Sequence, residues 1–124
     1  MSNTPFVGWR ISAEDREKLL IAFPPAYDRF DGDHITYAHS EAATRAEIFP
    51  TDAVVIGIAN HDGVEALVVE VAGNPKAPDG RQLHITWSLG AGRSGRDSND
   101  AIAKGWRRLD KKIPLDLTET IGIG

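Results

Sequence analysis

Two stretches of the chain repeat one chemical pattern, His34-Ile35-Thr36 and His84-Ile85-Thr86, and together they use two of its four histidines. In an extended backbone, residues i and i+2 point to the same face. Each motif therefore projects an imidazole and a hydroxyl together, roughly 7 Å apart along the strand. The isoleucine between them faces the opposite way and anchors the strand in a core. A threonine hydroxyl can donate to a phosphate oxygen. A neutral imidazole can take a proton from water while a protonated one gives a proton to a leaving oxygen. Histidine suits both roles because its ordinary pKa, about 6.5, lies near neutrality. Two such pairs brought face to face would make a metal-independent site for phosphodiester chemistry, with His34 and His84 as acid–base pair and Thr36 and Thr86 as phosphate binders.

The elements that must carry these motifs can be read from pattern. Thr4 to Ile11 reads as a first strand. Ser12 caps a helix running to about Phe23, with Leu19, Leu20 and Phe23 inward and Pro24-Pro25 as its stop. Asp31-Gly32-Asp33 is a turn, and His34 to Ala38 a second strand. Glu41 to Ile48 reads as a short helix. Ala53 to Ala59 and Val64 to Ala72 are strands joined by the Asn60-His61-Asp62-Gly63 turn, where His61 is exposed and without a role. Leu83 to Leu89 is a strand, followed by a Gly/Arg/Ser loop. Ser98 and Asn99 read as caps of a helix whose apolar stripe is Ile102, Trp106 and Leu109. Leu115 to Ile123 closes the chain as a strand. The expectation is one α+β domain over residues 1–124, built on antiparallel strands.

The 124 residues contain no cysteine, which excludes disulfides, thiol nucleophiles and Cys-ligated metals. No H-E-x-x-H or H-x-x-x-H spacing is present, so neither metal nor cofactor is expected. The first residues lack the features of a signal peptide, and no apolar run approaches the ~20 residues of a membrane span. A cytoplasmic protein is expected. Net charge is −4, yet residues 81–112 carry eight basic and three acidic side chains. A basic patch on an acidic body fits a small anion or an oligonucleotide end better than a long duplex.

The two His-x-Thr motifs resemble those of the two-histidine (2H) phosphoesterase superfamily. The pattern is most similar to the cyclic phosphodiesterase domain of tRNA-ligase-type RNA repair enzymes. The carrying residues are Phe6-Val7-Gly8-Trp9-Arg10-Ile11 before a helix, Asp33-His34-Ile35-Thr36-Tyr37-Ala38-His39, Leu83-His84-Ile85-Thr86-Trp87, and a Gly-rich loop leading to Ser98-Asn99. The resemblance implies a compact bilobal fold: two antiparallel sheets around a central cleft, two main helices outside. It implies hydrolysis of a 2′,3′-cyclic phosphate on a cyclic nucleotide or an RNA end, with His34 and His84 catalytic and Thr36 and Thr86 on the phosphate. With no ligase or kinase domain attached, a role in RNA repair would need partners.

Four further residues are candidate substrate contacts. Trp9 can stack a base, although a core place competes with that role. Ser88 follows the second motif on its polar face. Arg93 and Arg96, in the loop, can clamp phosphates. His39 falls on the face away from His34. Two rivals remain open: a non-catalytic nucleotide or RNA-binding module, and a phosphodiesterase acting on cyclic oligonucleotide signals.

Overall fold

The computed structural model describes residues 6–38 and 51–123. His39 and the helix expected over Glu41 to Ile48 lie outside the described residues. The chain runs β1 (Phe6–Arg10), α1 (Ala13–Ala22), β2 (Arg29–Phe30), β3 (His34–Ala38), β4 (Thr51–His61), β5 (Val64–Val71), β6 (His84–Leu89), α2 (Asp97–Ala103), β7 (Arg107–Leu117) and β8 (Glu119–Ile123). The class is α+β. The eight described strands form one sheet, in the order β7-β4-β5-β6-β3-β1-β8, with β2 also paired to β6. Every strand pair is antiparallel. Where two sheets were expected, pairing of β3 with β6 joins the strands into one. Among the described residues no helix is long and apolar enough to cross a membrane.

Local chemistry accounts for these elements. The Ser12 hydroxyl accepts from the Asp15 amide at 3.1 Å and opens α1. The Asp15 carboxylate accepts from the Asp116 amide at 3.0 Å and ties the helix to β7. Leu19 carries the buried face of α1, with Leu20 and Phe23 partly buried beside it. The β4–β5 hairpin turns on Asp62 and Gly63, both at positive φ (54° and 80°), the pattern of a type I′ turn.

β5 is apolar almost throughout because both of its faces are covered. On one face Leu67 and Val69 join the main core with Val7, Trp9, Ile11, Leu19, Ile35, Ile85 and Trp87. On the other, Ala66 and Val68 pack with Ile56 and with Ile102 of α2. α1 and α2 thus cover opposite faces. The motif isoleucines, Ile35 and Ile85, are fully buried on the α1 side. Alternation then puts His34, Thr36, His84 and Thr86 on the α2 side.

The helix stripe expected after Ser98 is corrected. α2 ends at Ala103, and Trp106 and Leu109 are not on it. Gly105 takes φ +128°, which no helix continues through. From Arg107 the backbone is extended, and β7 is longer than the strand expected from Leu115. Leu109, Ile113, Leu115 and Leu117 alternate into the core at period 2.

Candidate active site

The cleft is built at the junction of β3 and β6. Ile35 stands opposite Ile85 in antiparallel register. His34 and Thr86 therefore lie at one end of that pair, and Thr36 and His84 at the other. The two histidines sit on a diagonal, a separation of roughly 7–8 Å in sheet geometry. All four side chains line one cleft of about 380 Å³, together with Asp31, Arg81, Gly95, Arg96 and Asn99.

Close approach of β1 makes this surface. Gly8 pairs with Thr36, and a Cβ at Gly8 would stand 2.1 Å from the Ile35 carbonyl oxygen. Only glycine lets the first strand seat the first motif. The stretch before β3 crosses the end of β6: the Asp31 amide donates to the Trp87 carbonyl at 2.8 Å, and the Gly32 amide to the Thr86 carbonyl at 2.9 Å. Arg16 Nε donates to the Gly32 carbonyl at 2.8 Å and pins the turn. That turn delivers Asp31 to the cleft and Asp33 to the back of His34.

Both rings have a defined Nδ1 environment. His34 Nδ1 lies 3.1 Å from Asp33 Oδ2. His84 Nδ1 lies 3.0 Å from the Gln82 carbonyl oxygen. Each acceptor holds the Nδ1 proton, so the neutral ring carries its lone pair on Nε2. Thr86 shares a 2.9 Å hydrogen bond with Ser98, which is fully buried in the first turn of α2. A Cβ at Gly95 would meet Thr86 Oγ1 at 3.7 Å, so the bare glycine keeps this end of the cleft open.

No known family, curated protein or solved structure matches the chain.

The structure sorts the remaining candidates. Arg96 lines the cleft. Arg93 does not: its carbonyl accepts from Arg29, and its side chain lies beside Gly63. Trp9 is a core residue, 4% exposed and edge-on to Tyr37, so it cannot stack a substrate base. Ser88 continues the polar face of β6 but is fully buried. It donates to Glu65 Oε1 at 2.6 Å and accepts from the Tyr27 amide at 3.2 Å, because residues 26 and 27 cover it. Ser98 and Asn99 do not cap α2. The cap position is Arg96, Ser98 buttresses Thr86, and Asn99 faces the cleft. His61 is half-buried, with Nε2 2.8 Å from the Gly105 carbonyl oxygen.

Two cleft residues escaped sequence reading. Arg81 is held by Asp79, with Nε donating to Oδ2 at 2.8 Å. That hydrogen bond keeps the Asp79 carboxyl below its ordinary range. Asp31 lies where burial pushes its carboxyl above the ordinary range, with His34 pulling the other way. The only signals in sequence were Asp79-Gly80-Arg81, a turn holding an acid and a base, and the doubled aspartates around Gly32. Among the described residues no three His, Asp or Glu side chains group as they would to hold a metal ion.

Proposed function

We propose that this chain is a phosphodiesterase of the two-histidine type that hydrolyses a 2′,3′-cyclic phosphate on a nucleotide or an RNA end. The observation that carries the reading is the meeting of both His-x-Thr motifs in one cleft. Arg81, Arg96 and Asn99 supply it with donors for an anion. In this reading the sheet works as two lobes meeting at β3 and β6, with β5, β4 and β7 on one side and β1 and β8 on the other, in the bilobal manner of the 2H superfamily.

The phosphate sits between the diagonal histidines. With Ser98 donating to Thr86, the Thr86 O–H is left to donate to a non-bridging oxygen, as Thr36 does from the opposite end. One imidazole takes a proton from water through Nε2, and the water oxygen bonds to phosphorus. The other, protonated, donates from Nε2 to the ribose oxygen as its bond to phosphorus breaks. The product is a phosphomonoester beside a free hydroxyl. The histidines exchange protonation states and are reset by solvent. Developing charge on the phosphoryl oxygens is met by fixed hydroxyl and guanidinium donors. Each proposed step uses side chains alone, so the activity is expected to be independent of metal.

The test is hydrolysis of a 2′,3′-cyclic nucleotide, and of a short RNA ending in that group, with excess chelator. Turnover in chelator, lost in His34→Ala and in His84→Ala, is the expected result. A strict metal requirement, or turnover unaffected by either substitution, would sink the mechanism. Binding of both ligands without turnover would mean a nucleotide-binding module instead.

A further inference from the structure

The cleft continues past its own wall. Arg81 and Asn99 also line a second depression of about 330 Å³ beside α2, bounded by Lys76, Gln82, Ile102 and Trp106. Its lining carries two cations, Lys76 and Arg81, the second paired with Asp79 outside the lining, although the chain as a whole is acidic. The Trp106 indole lies against the backbone of β4, where a Cβ at Gly57 would meet the ring at 2.2 Å. The Arg108 guanidinium stands 5.0 Å from the ring centroid, and Arg108 is exposed. Indole rings and guanidinium planes are the surfaces on which unpaired bases stack. Lys104, nearby, is already paired with Asp62 and adds no free charge.

We infer that this second depression is a subsite for the nucleotide adjoining the reacting one, so that the preferred substrate is the end of a single-stranded RNA. The inference rests on the phosphodiesterase reading of the adjoining cleft. Lys76 and Arg81 meet the internucleotide phosphate, and the Trp106–Arg108 pair takes the base. Arg81 is suited to the junction. It lines both the cleft and the second depression, with its Nε held in place by Asp79. The patch is small and the rest of the surface acidic, which fits a strand end rather than a duplex.

Binding can be measured without turnover, using a trinucleotide RNA with a 3′-phosphate and the matching mononucleotide 3′-phosphate. Calorimetry is expected to give the trinucleotide roughly tenfold tighter binding, the scale of one stacked base. Its affinity is also expected to fall more steeply with salt. Trp9 and Trp87 are 4% and 0% exposed, so quenching of tryptophan fluorescence on titration reports Trp106. Lys76→Glu, on an exposed loop, is expected to erase the preference for the trinucleotide. Trp106→Ala should do the same, but its seat on β4 makes Lys76→Glu the variant safer for folding. Equal affinity for the two ligands, or an equal loss for both in Lys76→Glu, would overturn the subsite.

Hydrolysis of the corresponding cyclic forms separates the two ideas. A length preference in binding with no hydrolysis of either cyclic form removes the phosphodiesterase reading and leaves the subsite. Hydrolysis at the same kcat/KM for both lengths removes the subsite and leaves the phosphodiesterase.

Discussion

The two arms of the cleft carry the same three residues on unlike supports. In the β3 arm, His34 leans on the side chain of Asp33, which is 43% exposed and also bridges Arg10 and Arg16. In the β6 arm, His84 leans on a backbone carbonyl and Thr86 on a serine with no exposure. One arm is tuned by charges that water reaches; the other is fixed by main chain and a buried hydroxyl. Identical motifs therefore need not be equally sensitive to substitution or salt.

The largest effect should be common to both arms. His34→Ala and His84→Ala should each lower kcat by roughly 10²-fold or more, because each removes one partner in proton transfer. Steady-state kinetics that leave either variant near wild type would break the pairing. The wild-type rate should also follow a bell in pH, since one ring must be neutral and the other charged; a flat profile between about pH 5 and 9 contradicts that.

Next comes the anion clamp. Arg81→Ala should raise KM roughly tenfold, the scale of one hydrogen bond to a charged group. An unchanged KM would remove Arg81 from the site.

The arms should then part company. Asp33→Asn keeps the shape but removes the charge behind His34. It should lower kcat severalfold, up to roughly tenfold, and high salt should narrow the gap to wild type. Ser98→Ala, in the other arm, should cost about 1 kcal/mol of stability on denaturant unfolding, with an effect on rate that salt does not change. If the salt responses were reversed, the contrast between the arms would fail.

The smallest effect concerns Asp31. Burial raises its carboxyl pKa, so the folded chain keeps this proton to higher pH than the unfolded chain. The cost to stability is complete above the folded pKa and disappears as pH falls below the unfolded one. Asp31→Asn should therefore raise Tm at pH 7 and leave it unchanged near pH 3. It should also lower KM for an anionic ester at neutral pH. A Tm gain that persists unchanged into acid would contradict this account.

Local signals were legible where local chemistry decides the outcome. Ser12 caps α1, Asp62-Gly63 turns the hairpin, and His-Ile-Thr on a strand puts its polar pair on one face. The stripe of Ile102, Trp106 and Leu109 misled because it satisfies a helical period while Gly105 interrupts it. The better signal was the alternation of Leu109, Ile113, Leu115 and Leu117. Arg81, Asp31 and Asn99 reach the cleft through long-range pairing, which sequence spacing does not encode. Ser88 failed as a site residue for a similar reason: a face that is polar by alternation can still be covered by a segment from elsewhere in the chain.

The diagonal placement about Ile35 and Ile85 has a consequence for direction. A half-turn through that pair exchanges His34 with His84 and Thr36 with Thr86. The four reacting groups alone are therefore blind to which of the two ester oxygens of a bound phosphodiester departs. Any preference must be imposed by what the half-turn does not preserve. Asp33 braces His34 from behind and Asp31 acts on it within the cleft, while Arg81 lines the opening toward Trp106. On the proposed phosphodiesterase reading, the regiochemistry of the product is then set by the flanks of the cleft rather than by its motifs.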